Sequence, residues 1–251
     1  MGIPSLSTVP GLIRHFQHGP RVASSYLKNV NKAWSIGHAI ERGKESSSLS
    51  DADAYIRVVE GVNSGALRDS FRSCIEYQDV LEHVPYSVAH NYLLSLEDWA
   101  QWPHLQNSEL ERTFMTVGNP PQFPFRVKGC RVSLNPTFVR YAWVARDLIR
   151  RFGDLEGLRV AEIGVGFGGQ MAVLNNVAAL RTAFLFDLPE VTQLASWFLG
   201  IAAPSFQPQE MDGRSPKSTS ADLVISNFAF SELRRSVQEE YFEKVIESSS
   251  H

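Results

Sequence analysis

Three acids stand at the ends of successive apolar runs in the second half of this 251-residue chain: Glu162, Asp187 and Asp212. Between the first two lies a glycine cluster, Gly164, Gly166, Gly168 and Gly169, within VAEIGVGFGG (160–169). A strand running into closely spaced glycines and then a helix is the construction of a nucleotide-cofactor site. Glycines turn the chain tightly and let a ligand approach main-chain atoms that a Cβ would block, and the helix aims its first amides at the same place. Asp187 lies 19 residues beyond Gly168, close to the spacing at which a carboxylate accepts both hydroxyls of a ribose. The run Asp187-Leu188-Pro189 is equally a helix start signal, and both roles use the same strand end. Leu188 is assigned to the cofactor wall beside Asp187. Asp212 follows the third strand, where an acid accepts an exocyclic adenine amine; Asp212-Gly213 is also a common turn dipeptide.

The glycines fit two cofactors. Gly164, Gly166 and Gly169 satisfy G-x-G-x-x-G, the dinucleotide fingerprint, and a glycine-rich strand end also occurs in unrelated α/β proteins. Glu162, Gly164, Gly166 and Gly168 satisfy E-x-G-x-G-x-G, the loop of S-adenosyl-L-methionine (SAM) methyltransferases. An acidic setting suits the sulfonium and ammonium of SAM, whereas a pyrophosphate prefers the opposite sign. A short-chain dehydrogenase needs Tyr-x-x-x-Lys, and Tyr241 with Lys244 has the wrong spacing. The reading is therefore a SAM site. Glu162, inside the strand end, orients the loop or reaches the methionine amino group through water, and Asn227 lines the methionine end.

Three segments, VAEIGVGFGGQ (160–170), FDLPEV (186–191) and SNFAFSEL (226–233), resemble the putative sugar O-methyltransferases, a class I SAM-dependent family. NPTFVRYAWVARDLIRRFGDLEGL (135–158) and FRSCIEYQDVLEHV (71–84) resemble its upstream helices, so the likeness spans about residues 70–247. It implies SAM as cofactor, with Glu162, Gly164, Gly166 and Gly168 as the loop and Asp187 as the ribose acid. It also implies methyl transfer to a hydroxyl on a small molecule, sugar or glycan. An alcohol acceptor needs a general base. Glu232, after the fourth strand, is the first choice, although a first-turn helix acid facing solvent is also favoured by the dipole. His83 is the second, although a lone histidine is more often structural.

These residues require an α/β fold: a Rossmann-like sheet preceded by a helical region. Strands are expected at 159–163, 182–186, 205–210 and 222–226, and helices at 170–180, 189–199 and 236–247. After the last helix the chain closes with SSSH, so the sheet reads as lacking its last strands. Its fourth strand is then an exposed apolar edge, to be covered by a homo-oligomer partner or by the N-terminal helices. A catalytically inactive or truncated relative, serving as a SAM-binding or protein-interaction module, is the alternative. Residues 1–50 form a basic arm, with Arg14, Arg21, Lys28 and Lys32 and no acid in the first 40, which also has transit-peptide character. Residues 51–134 are assigned to a helical acceptor-side region with a rigid connection at 118–124, where Pro120-Pro121 breaks regular structure. Residues 135–251 are assigned to the SAM-binding domain.

A net charge of −3 argues against a nucleic-acid partner. Two cysteines fit a reducing, cytoplasmic setting. No run approaches the ~20 apolar residues of a membrane span, and no metal-ligand spacing is present.

Overall fold

The computed structural model describes residues 53–106, 108–127 and 129–250; the basic arm assigned to residues 1–50 lies outside the described residues. A cap of short elements comes first: α1 (Asp53–Asn63), a 3-10 turn (Phe71–Ser73), α2 (Ile75–Gln78), α3 (Tyr86–Leu96), α4 (Trp102–Leu105) and α5 (Glu109–Thr116). The expected break at Pro85 is the N-cap of α3. Ser108 caps α5 by accepting the Glu111 amide at 3.0 Å, with Glu109 and Glu111 favoured in its first turn. The region is not wholly helical as expected. It ends in an antiparallel hairpin, β1 (Phe123–Val127) and β2 (Cys130–Leu134), in register from Phe123↔Leu134 to Val127↔Cys130. Each strand is five residues long, too short for its alternation to stand out.

The second half is a parallel α/β unit: α6 (Pro136–Phe152), β3 (Arg159–Ile163), α7 (Gly169–Ala178), β4 (Thr182–Asp187), α8 (Pro189–Ala202), β5 (Gln209–Asp212), β6 (Leu223–Ile225), α9 (Ala229–Glu232) and α10 (Arg235–Tyr241), which runs into a π turn at Phe242–Ile246. Asn135 caps α6 through the Phe138 amide at 2.9 Å, with Pro136 at N1. The third strand begins at Gln209 rather than at 205, because Phe206 is buried as a plug and Pro208 has no N–H for a ladder. The expected helix at 236–247 stops at Tyr241.

The sheet order is β5-β4-β3-β6, all parallel. This is the 3-2-1-4 half of a doubly wound, Rossmann-like sheet, with its switch point between the carboxyl ends of β3 and β6. Alternation along the strands divides the core. Val160, Ala183, Leu185, Leu223 and Ile225 join the larger cluster with Met171, Leu194 and Phe198. Ala161, Ile163 and Phe186 face the other way, against Tyr241 and Val245. The larger cluster also takes in Val59, Leu93 and Phe114, so cap and sheet share one core across the expected boundary at 134/135. The fourth strand ends the sheet, as expected. No strand pairs with its outer side among the described residues, while its two faces are covered: Leu223 and Ile225 are buried and Val224 packs on the smaller cluster. No helix among the described residues is long and apolar enough to cross a membrane.

Candidate functional site

The strand-to-helix turn after β3 is held by close backbone contacts. The Gly164 amide donates to the Phe186 carbonyl at 2.8 Å. With φ +81°, a Cβ on Gly164 would sit 2.0 Å from the Cβ of Ala229, so the loop and the start of α9 touch only because that atom is missing. Gly166, at φ +55°, donates its amide to Asp187 Oδ2 at 3.1 Å. Asp187 Oδ1 accepts the Leu188 amide at 2.8 Å. The N-cap of α8 is Leu188 rather than Asp187, which leaves Asp187 at the strand end facing the loop.

These groups surround a cavity of about 200 Å³ at the carboxyl ends of β3, β4 and β6. Gly164, Gly166, Asp187 and Leu188 line it together with His83, Asn227 and Glu232. Residues chosen from three distant stretches of sequence thus meet at one place, where an open α/β sheet binds its ligands. Glu162, Gly168 and Asp212 are not in this lining. Gly168 instead opens α7 and lies against Leu199 and Ala195 of α8. Asp212 is exposed and turned away, its Oδ1 accepting the Arg214 amide at 3.0 Å and its guanidinium at 3.2 Å. Its neighbour Gly213 lines the cavity instead. The Gly213 amide donates to the Asp187 carbonyl at 2.7 Å, and Tyr241 Oη donates to the Gly213 carbonyl at 3.1 Å.

Glu162 lies beneath the floor, 2% exposed. Its Oε1 accepts from Asn227 Nδ2 at 3.3 Å, and its Oε2 is buried without a partner. Burial lifts its pKa to about 8; the charge of Asp187 adds to the rise, while the Asn227 hydrogen bond and Arg140 partly offset it. The carboxyl is thus largely protonated at neutral pH and can donate as well as accept.

Several lining residues were not evident from the sequence. Tyr55 reaches the cavity from α1, Leu81 from the cap, and Phe228 from the turn after β6. Burial raises the Tyr55 phenol well above its usual range, with the charge of Asp187 contributing. Arg140 enters from α6. Its Nε is buried without a hydrogen bond, it makes no ion pair among the described residues, and its guanidinium lies 5.1 Å from the Tyr141 ring centroid. One signal was available: Arg140 is a cation in the middle of FVRYA, a buried run of α6.

Behind the cap wall lies a buried polar knot. Arg72 Nε donates to Glu82 Oε1 at 2.5 Å, and Arg72 Nη1 to the Phe114 carbonyl at 2.7 Å. Asn135 Nδ2 donates to Glu82 Oε2 at 2.8 Å. The Arg72 guanidinium also lies 4.6 Å from the ring centroid of Phe167, inside the glycine loop. Thr137 Oγ1 donates to the Leu81 carbonyl at 3.3 Å. The knot thereby braces Leu81 and His83 against the loop.

Comparison with known proteins adds little. The chain matches no protein-family model and no curated protein, so the likeness to sugar O-methyltransferases rests on the sequence segments alone. Among solved structures it is similar to a Pyrococcus horikoshii protein described as a putative RNA methyltransferase. That match has 17% identity, covers 64% of this chain and 67% of the other, and has a TM-score of 0.37. A likeness at that level carries no weight for substrate or activity; the Rossmann-like assignment rests on the strand order.

Proposed function

We propose that the chain is a SAM-dependent O-methyltransferase acting on a hydroxyl, with a sugar or glycan as the acceptor class that the sequence segments suggest. The observation that carries the reading is the single cavity at the switch point, shared by the glycine loop, Asp187, Asn227 and Glu232. SAM bound there supplies a methyl group on a sulfonium, which an acceptor oxygen takes as the carbon–sulfur bond breaks.

The lining residues fit such a group. Gly164 and Gly166, both at positive φ, let the loop close against Ala229 and Leu81 while lining the cavity. Asp187 accepts the Gly166 and Leu188 amides at the end of β4 and lines the cavity, where a carboxylate can meet a ribose hydroxyl. Gly213, Leu188 and Tyr241 flank that end. Arg140, whose Nε is buried without a hydrogen bond among the described residues, offers its guanidinium to the methionine carboxylate, a charge-assisted contact. Asn227, held by Glu162, faces the same end. Glu232 and His83 approach from different elements, and either can receive the acceptor's hydroxyl proton. The free thiols of Cys74 and Cys130 suit a reducing, cytoplasmic setting.

Isothermal titration calorimetry with S-adenosylhomocysteine, with NAD as control, tests the reading. Binding of the first alone is expected, and Asp187→Ala should weaken it by about 1.5–3 kcal/mol through loss of hydrogen bonds to a charged group. Binding of neither compound, or unchanged affinity in a folded Asp187→Ala variant, removes this assignment.

A further inference from the structure

We propose that Phe228 is the platform on which the acceptor lies: its ring takes the flat face of a ring-borne hydroxyl compound and presents it beside Glu232. The inference rests on the methyl-transfer reading and adds to it the acceptor's shape and the residue that selects it.

Phe228 is 69% exposed, the highest value among the exposed large apolar side chains of the described residues, and it lines the cavity. Its backbone lies at φ +80° and ψ −31°, a conformation suited to glycine and costly for a bulky residue. The surroundings impose it. The Ser226 hydroxyl donates to the Ile163 carbonyl at 2.9 Å and accepts the Phe230 amide at 3.0 Å, bracketing the turn. Asn227 is tied to Glu162, and Ala229 fills the space left by the missing Cβ of Gly164. None of these contacts uses the Phe228 ring, and among the described residues the ring pairs with no other aromatic ring.

Among the described residues, the fold thus holds a large apolar ring mostly in water, on a strained backbone and outside both buried clusters. Strain of this kind concentrates at ligand sites. Phe228 shares the cavity lining with the apolar Leu81 and Leu233 and the polar Glu232 and His83. That combination fits a ligand with one flat apolar face and hydroxyls at its edge. A pyranose, through its C–H face, and a phenol, through its π face, share this chemistry.

Two variants, Phe228→Gly and Phe228→Trp, test the proposal. With strain relieved and both buried clusters left intact, Phe228→Gly should melt no lower than the native chain; a fall of more than about 4 °C, roughly 1 kcal/mol or more for a chain of this size, would mark the ring as a structural prop and overturn the proposal. Ligand binding is read by saturation-transfer NMR on protein saturated with S-adenosylhomocysteine. The probes are methyl β-D-glucopyranoside and catechol, with glycerol as an open-chain hydroxyl control. At least one ring probe should bind the native chain, weaken about tenfold or more in Phe228→Gly, and hold in Phe228→Trp. The glucoside and catechol arms separate a sugar from a phenolic acceptor. Equal binding of the ring probes to native and glycine forms, glycerol binding as well as they do, or no ring-probe binding to the native chain overturns the role. Calorimetry separates the two failures. If S-adenosylhomocysteine binds native and glycine forms alike while the ring probes do not discriminate, only the role of Phe228 falls. If it does not bind the native chain, the methyl-transfer reading falls and this inference falls with it.

Discussion

The two sides of the cavity are held by different means. On the glycine-loop side, Phe114, Phe167 and Phe198 meet with ring centroids 4.8–5.8 Å apart, and the Arg72–Glu82 pair is sealed beside them. On the Glu232 side, α9 has no buried residue, and the cluster beneath it contains six buried residues. A dense interior fixes positions to fractions of an ångström, whereas a lightly packed turn tolerates adjustment. The difference matches the two proposed ligands. An invariant cofactor is served by a preformed cradle, and a variable acceptor by a surface that can change with little cost to the fold.

The comparison can be broken most directly at Arg72. Arg72→Met leaves Glu82 as an uncompensated buried charge and should cost about 3–5 kcal/mol in urea unfolding. A loss below about 1 kcal/mol would mean that the loop side is not anchored there. Glu162 sharpens the contrast through pH. Its folded pKa is raised to about 8 from the ordinary 4.5, so its contribution to stability is complete below the lower value. It drains as pH rises through that window, by about 1.4 kcal/mol per unit at most, because only the folded form keeps the proton. The stability of the native chain relative to Glu162→Gln should therefore fall between about pH 5 and 8, and a flat difference in denaturation midpoints would contradict the buried, protonated carboxyl. The smallest effect is expected on the lighter side. Tyr241→Phe removes one hydrogen bond to Gly213 and should cost about 0.5–1.5 kcal/mol, so a larger loss in thermal unfolding would show that side to be more tightly built than its packing indicates.

The parts of the site that could be read from sequence are those in which neighbours along the chain are also neighbours in space. The turn after β3 is a continuous strand, loop and helix, and Asp187 ends the next strand, so spacing alone located them. Asp212 shows where that logic stops. The chain turns at Asp212-Gly213, and a one-residue difference sends the carboxylate to Arg214 and the glycine to the cavity. Tyr55 and Phe228 have no local pattern to announce them, and Arg140 has only its charge within a buried run. They reach the cavity through packing between elements distant in the chain, and the turn at Phe228 depends on a hydrogen bond from Ser226 to β3. The β1–β2 hairpin was missed for a different reason: its strands are short, and one carries a proline.

The continuous core beneath the cap and the sheet restricts how a chain of this kind can diversify. A cap that sat on the sheet as a separate module could be exchanged whole for one with another preference. Here Phe114 of α5 packs on Phe138 of α6 at 5.0 Å and on Phe198 of α8 at 5.3 Å, so a transplanted cap would arrive without its half of a shared interior. New specificity is more accessible by changing single side chains around the opening than by shuffling segments.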